Sequence, residues 1–151
     1  MRKLIRYFTL FLSCSVSSTG ALASDEIWVD MQYSKPGHLI RTVWNDNPIG
    51  ILHRDKNMID SLRTKYKAME KEKDFNNISS LFRSIKPEHF VIIYRAPNSQ
   101  CKLEYVRDTG LIDSCTNEIF DFSGRAKSGA KLEIPPHKYV SETKILFGAF
   151  K

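Results

Sequence analysis

The sequence contains few of the residues that build metal centres and redox sites. It has three cysteines and four histidines in 151 residues, and only Cys101 and Cys115 lie beyond residue 24. The Cys-x-x-Cys spacing of thiol oxidoreductases does not occur. Ser/His/Asp and metal-ligand spacings are missing too. The residues alone therefore predict neither a metal site nor an enzyme.

Long runs of one charge sign are also missing. Basic residues number 23 against 17 acidic ones, a net charge of +6, but they form no cluster typical of nucleic-acid binding. Three of them, Arg2, Lys3 and Arg6, fall in the first 23 residues, which contain no acidic residue. Without that segment the balance is 20 to 17, or +3. We expect an ordinary polar surface and no nucleic-acid partner.

The N-terminal apolar run, Leu4 to Val16, is well short of the roughly 20 residues that span a bilayer. It follows a basic start and precedes Ala21-Leu22-Ala23, an A-x-A cleavage pattern. We interpret residues 1–23 as a Sec-type signal peptide and residues 24–151 as one exported, periplasmic domain. The alternative is an uncleaved segment that anchors the protein to the inner membrane, facing the periplasm. Membrane association is expected only in that case.

Export also bears on the two remaining cysteines. In an oxidising compartment, Cys101 and Cys115 predict one disulfide. The bond would close a loop of about 15 residues, which is worth about 3 kcal/mol on chain-entropy grounds.

Alternating apolar residues and frequent turn formers predict a mainly β fold. The turn formers at 45–48 predict a hairpin, and Leu39, Arg41 and Val43 share one face of its first strand. Helical spacing predicts one helical insertion over about residues 55–72, with Asp55 as its N-cap and its apolar stripe on the sheet. Strands are predicted at residues 27–31, 38–44, 49–53, 90–94, 103–106, 111–112, 118–122 and 144–147.

The order of these parts resembles a known family. Trp44-x-x-x-Pro48 and His53-Arg54 precede the helical insertion, and two cysteine-containing loops follow the strand at 90–94. Asp121-x-Ser123-Gly124-Arg125 and a Leu-x-Ile-Pro-Pro segment come next. Together, over about residues 27–148, they resemble the Rieske protein, the iron–sulfur subunit of cytochrome bc complexes. The resemblance implies a Rieske-like antiparallel β-sandwich with one helical insertion.

In that family two loops, Cys-Thr-His-x-Gly-Cys and Cys-Pro-Cys-His-Gly-Ser, hold a [2Fe–2S] cluster through two thiolates and two imidazoles. The remaining cysteine of each loop joins the two loops as a disulfide. The resemblance places Cys101 and Cys115 at these disulfide positions, so that the linked loops cover about residues 96–117. It places four residues at the former ligand positions: Ala96, Asn98, Asp113 and Thr116.

None of those four residues is a cysteine or a histidine, so the sequence predicts no cluster, no metal and no other cofactor. Residues 126–131 also lack the Gly-Pro-x-Pro loop that covers the cluster in the family. The predicted protein is a cofactor-free Rieske-like domain that acts as a protein-binding or structural component of the bacterial cell envelope. The alternative is a [2Fe–2S] electron-transfer subunit of a ubiquinol–cytochrome c reductase-like complex.

An envelope protein of unknown identity is the expected partner. The polar loop tips beside the disulfide are the candidate contact surface, and the possible contact residues are Pro97, Asn98, Ser99, Ser114 and Asn117. A hydrolase would have to depend on Asp113 and Glu118, for which a structural salt bridge or a solvated carboxylate is the better interpretation.

Overall fold

The structure, a computed structural model, describes residues 26–74 and 76–148. The predicted signal peptide lies outside the described residues. Within them, one α-helix, α1 (Lys56–Lys65), is followed by a 3₁₀ turn at Lys67–Met69. The strands are β1 (Ile27–Asp30), β2 (His38–Trp44), β3 (Asn47–His53), β4 (His89–Ile93), β5 (Leu103–Val106), β6 (Gly110–Asp113), β7 (Ile119–Phe120), β8 (His137–Tyr139) and β9 (Lys144–Phe147).

The strands form three antiparallel sheets, in the orders β1-β9-β8, β2-β3-β4 and β5-β6-β7. The first sheet joins the two ends of the described chain, since Ile27 lies opposite Phe147. The predicted class, mainly antiparallel β with one helical insertion, is confirmed. Among the described residues, no helix is long and apolar enough to cross a membrane.

The middle sheet has a hydrophobic core on each face. β4 is buried at every position, which agrees with its nearly continuous apolar sequence. Val91 and Ile93 face the β1-β9-β8 sheet, where Ile145 and Phe147 join them. Phe90, Ile92 and Tyr94 face the opposite way, into a core that includes residues of β5, β6 and β7. The disulfide-linked loops lie beyond the second of these cores, because they connect β4 to β5 and β6 to β7.

The β2–β3 hairpin has a tighter turn than the sequence predicts. Asn45 and Asp46 both have positive φ, 46° and 58°, as the two central residues of a type I′ turn require. Trp44 therefore pairs with Asn47, and Pro48 pairs with Val43 inside the ladder. The partner strand begins at residue 47 rather than 49.

The helix begins as predicted and ends earlier. The Asp55 carboxylate accepts a hydrogen bond from the Met58 amide and caps the first turn. The helix stops at Lys65 instead of residue 72, because Tyr66 leaves helical geometry. Its hydroxyl donates to the Asp121 carboxylate at 2.6 Å.

The packing of the helix also differs from the prediction. Met58 reaches the core of the middle sheet. Leu62, in contrast, packs on Leu81 and Phe82 of the connection between α1 and β4. The apolar stripe is therefore shared between the sheet and this connection.

A buried arginine fixes that connection to the sheets. The Arg54 side chain is about 1% exposed. Its guanidinium donates to the carbonyl oxygens of Phe122, Pro87 and Phe82, each at 2.8 Å, and to Ser84 Oγ at 3.0 Å. Arg54, just after the end of β3, thus ties residues 82, 84 and 87 of this connection to residue 122.

One strand is shorter than predicted, and one strand was not predicted. β7 ends at Phe120 because the Asp121 carboxylate accepts from the amides of Ser123 and Arg125 and turns the chain. β8 was not predicted, since its His-Lys-Tyr sequence has neither a β-branched residue nor an apolar run. It forms because β9 offers a free edge for pairing.

Candidate functional site

Two short loops meet at one end of the β5-β6-β7 sheet and form what we call the tip, residues 96–101 and 113–117. The predicted disulfide between Cys101 and Cys115 is present, with Cα atoms 6.1 Å apart. The first loop is closed by backbone hydrogen bonds between Ala96 and Cys101 and from Gln100 to Ala96. The disulfide links the end of the first loop to the middle of the second.

The Asp113 carboxylate joins the two loops a second time. One of its oxygens accepts from Ser99 Oγ and from Thr116 Oγ1, both at 2.7 Å, and the other accepts from the Cys115 amide at 2.9 Å. The Ser99 hydroxyl in turn accepts from the Cys101 amide. The hydrogen bond from Ser99 and those from Cys115 and Thr116 lower the pKa of Asp113 despite its burial. Asp113 is therefore a buried, charged cross-link between the loops.

The structure separates the predicted site residues into two groups. Ala96 and Asp113 are buried, each about 1% exposed, and they support the tip from below. Thr116 is exposed but holds Asp113. The predicted contact residues lie at the surface, with Pro97 and Ser99 partly buried and three exposed: Asn98, Ser114 and Asn117.

The Asp121-x-Ser123-Gly124-Arg125 turn braces the chain just beyond the tip. Burial acts to raise the pKa of Asp121, but hydrogen bonds from Lys65, Ser123 and Tyr66 outweigh it, and the pKa falls to about 2. The Arg125 guanidinium donates to the carbonyl oxygens of Leu81 and Ser80. The turn is therefore a structural joint between the α1–β4 connection and the β5-β6-β7 sheet.

Sequence reasoning missed the basic residues next to the tip. Arg41, Arg95 and Lys102 line one surface cavity, although they come from three separate parts of the chain. The sequence contained a partial signal for Arg41 only. Arg41 shares one face of β2 with the apolar residues Leu39 and Val43, which places a positive charge among apolar side chains. The two other basic residues carry no such pattern.

Two known proteins that are similar to this chain carry the same name. No protein-family model matches the chain. The ubiquinol–cytochrome c reductase iron–sulfur subunit of Allochromatium vinosum is 26% identical over 156 aligned positions, which cover 90% of this chain and 75% of the relative. The subunit of the same name from Bradyrhizobium diazoefficiens is 30% identical over 132 positions, which cover 83% of this chain and 73% of the relative.

These relatives contradict the prediction that the chain has no cofactor. Both are named iron–sulfur subunits, and a relationship of this extent points to an iron–sulfur cluster rather than to none. The prediction is wrong on this finding, and its [2Fe–2S] alternative is the one that homology favours.

The donor atoms at the tip do not match the Rieske ligand set of two thiolates and two imidazoles. Among the described residues, the group that could share a metal ion is Cys101, Asp113 and Cys115, whose donor atoms lie within 4.8 Å of one another. Both sulfurs are bonded to each other, and the carboxylate is occupied by the hydrogen bonds described above. The group contains no histidine.

A solved structure named "Hyperthermophilic respiratory Complex III" contains a chain with the same fold. The TM-score is 0.52 at 18% sequence identity, and the match covers 86% of this chain and 79% of the other. Because the identity is low, this match speaks for the fold alone. With an identity of 30% over most of both sequences, the protein described here belongs to the family of ubiquinol–cytochrome c reductase iron–sulfur subunits, the Rieske family.

Proposed function

We propose that this chain acts at the periplasmic face of the membrane as a subunit of a ubiquinol–cytochrome c reductase-like assembly, where it binds a neighbouring protein through its tip. The names of both relatives support membership of such an assembly. The partner is thus expected among envelope proteins of that assembly.

The observation that carries the proposal is the double cross-link of the tip. The Cys101–Cys115 bond and the Asp113 carboxylate hold two exposed polar loops in one arrangement. A surface that is ordered before binding loses little conformational entropy on association. Loops held in this way on a rigid sheet are a common form of protein contact surface.

In-cell photocross-linking tests the proposal. A photoreactive amino acid placed at Asn98 or Asn117 is expected to capture the same envelope protein, identified by mass spectrometry. Asn57, an exposed asparagine at the start of α1, serves as the matched control and should not capture it. Equal capture from all three positions, or capture from Asn57 alone, would contradict a tip-centred interface.

A substitution inside the tip gives a second test. Asp113→Asn removes the charge that accepts from Ser99 and Thr116, so the loops should lose their fixed arrangement. We expect the captured fraction to fall several-fold while the circular dichroism spectrum of the purified variant stays that of the wild type. Unchanged capture would mean that the order of the tip is not needed for binding.

The names of the relatives favour a second candidate, an electron-transfer subunit with a [2Fe–2S] cluster. Such a cluster accepts and releases single electrons, and the Cys101 and Cys115 sulfurs are the soft donors available at the tip once their bond is reduced. Protein purified from the periplasm, and protein reconstituted anaerobically with iron, sulfide and reductant, should then show visible absorption bands and two iron atoms per chain. Iron below one atom per ten chains in both preparations would reject the electron-transfer role, while the cross-linking result would stand independently.

A further inference from the structure

An open cavity of about 560 Å³ lies beside the tip, between β2 and the chain that leads into β5. We call this cavity the basic groove. Its defining residues come from β2, from β3 and from the chain on either side of the first tip loop: Arg41, Val43, Pro48, Tyr94, Arg95 and Lys102. Lys102 follows Cys101 directly in the chain, so the groove and the tip form one continuous surface.

The positive charges of the basic groove have no carboxylate partner among the described residues. No carboxylate of the described residues lies within 4.0 Å of the Arg41, Arg95 or Lys102 side-chain nitrogens. Arg95 donates to the neutral side-chain oxygen of Asn47 at 2.8 Å. Three like charges around one cavity create a positive potential that favours an anionic occupant.

The floor of the basic groove is apolar and follows from the strand pattern. Leu39, Arg41 and Val43 share one face of β2, but only Leu39 reaches the core. Val43 stays 61% exposed, opposite Pro48. A groove with cations at its walls and with an exposed valine and a partly buried proline on its floor fits a segment in which acidic and apolar side chains alternate.

Tyr94 forms a wall of the basic groove because Gly50 leaves room for its ring. A Cβ at Gly50 would lie 2.7 Å from Tyr94 Cδ2, so a side chain there would displace the ring. On the other side of the ring a second cavity continues along β2 and β5, and it shares Arg41, Tyr94 and Lys102 with the first. Glu104 also lines this second cavity, so acidic side chains are expected to bind in the first. The combined depression is elongated, as a site for an extended chain would be.

We propose that the basic groove binds an extended, acidic segment of the neighbouring protein. The inference rests on the proposed function and specifies the chemistry of that partner. β2 pairs only with β3 among the described strands, so Arg41 and Val43 lie on an edge strand that borders the groove. An extended peptide can pair with such an edge while its carboxylates meet the three cations.

Fluorescence anisotropy with a defined probe tests the inference on the full chain purified from the periplasm. The probe is a labelled twelve-residue peptide in which Glu and Val alternate, measured at about 20 mM salt to limit screening. Arg41→Gln combined with Lys102→Gln should weaken binding about tenfold. The matched control, Lys67→Gln with Lys71→Gln, removes the same charge from exposed positions that do not line the groove and should change binding less than twofold.

The outcomes are distinct. Selective loss in the groove variant, together with no binding of a Gln/Val peptide, supports the inference. Equal loss in both variants would show attraction by net charge alone and overturn it, as would the absence of peptide binding to the wild type. If vesicles containing anionic phospholipid bind through Arg41 and Lys102 but the peptide does not, the groove recognises lipid, and the inference fails. Capture from Asn98 and Asn117 would then still support the tip interface, so the two proposals can fail separately.

Discussion

Replacing Arg54 with methionine should remove the main link between the α1–β4 connection and the sheets. Arg54 is fully buried, and its guanidinium donates to three carbonyl oxygens and one hydroxyl. Methionine has a similar length and fills much of the space, but it donates no hydrogen bond. The backbone acceptors of Phe82, Pro87 and Phe122 cannot be removed with it, so the buried acceptor of Phe82 and the partly buried acceptors of Pro87 and Phe122 lose their donor.

The size of the effect follows from that mismatch. A hydrogen bond from a charged donor contributes about 1.5–3 kcal/mol, and a buried acceptor left unsatisfied costs about 1–3 kcal/mol. These contributions are not additive within one network, and breaking a buried charged network typically costs about 3–5 kcal/mol in total. We therefore expect Arg54→Met to lower the free energy of unfolding by about 4 kcal/mol, which is a large part of the 5–15 kcal/mol of an ordinary domain.

Urea unfolding followed by circular dichroism measures this change. With a slope of about 2 kcal/mol per molar urea, the midpoint should fall by about 2 M. Arg54→Lys keeps a charge but not the planar fork, so it should fall in between. Arg63→Met is the control, since Arg63 is half exposed and 3.7 Å from Asp60, and it should cost less than about 0.5 kcal/mol. A loss below 1 kcal/mol for Arg54→Met would refute the reasoning.

Reduction of the disulfide and a fall in pH should both lower the free energy of unfolding. Reducing the Cys101–Cys115 bond should lower the free energy of unfolding by about 3 kcal/mol. The difference in urea midpoint with and without reductant measures this change. An unchanged midpoint would mean that the loop is equally restricted without the bond. The pKa of His89 is lowered to about 4, mainly by burial and secondly by the nearby His53. Below pH 6.5 the unfolded chain therefore takes up a proton at this residue that the folded chain does not. Stability should therefore decline by about 2.6 kcal/mol between pH 6.5 and pH 4. This decline should become smaller in His89→Gln, where the lowered pKa of buried His137 still contributes, and stay unchanged in His38→Gln, which replaces an exposed histidine.

The elements that were predicted well are those with local causes. The hairpin follows from alternation along β2 and from turn formers that tolerate positive φ, and the start of α1 follows from an N-cap carboxylate. β4 follows from an apolar run that could only be buried. The predictions that failed depend on distant partners: the helix ends at Tyr66 because of Asp121, and β8 forms because β9 is beside it.

The cofactor prediction failed for another reason. It judged four positions one at a time, and none of Ala96, Asn98, Asp113 and Thr116 matches the family's ligands. Homology is a property of the whole chain, and it points the other way, to an iron–sulfur protein. Iron analysis of the purified protein compares these two inferences directly.

The sequence by itself determined the fold class and the order of all strands except β8, because side-chain period and turn conformation are set over a few neighbouring residues. It also determined the pair of cysteines at the tip, since Cys101 and Cys115 are the two cysteines beyond residue 24 and have one pairing open to them. Only the tertiary structure decided that Asp113 bonds to Ser99 of the other loop and that Arg54 holds a segment about 30 residues away. It likewise brought Arg41 and Lys102 into one groove. Contacts of this kind join residues that are far apart in the chain, and no local pattern encodes their meeting.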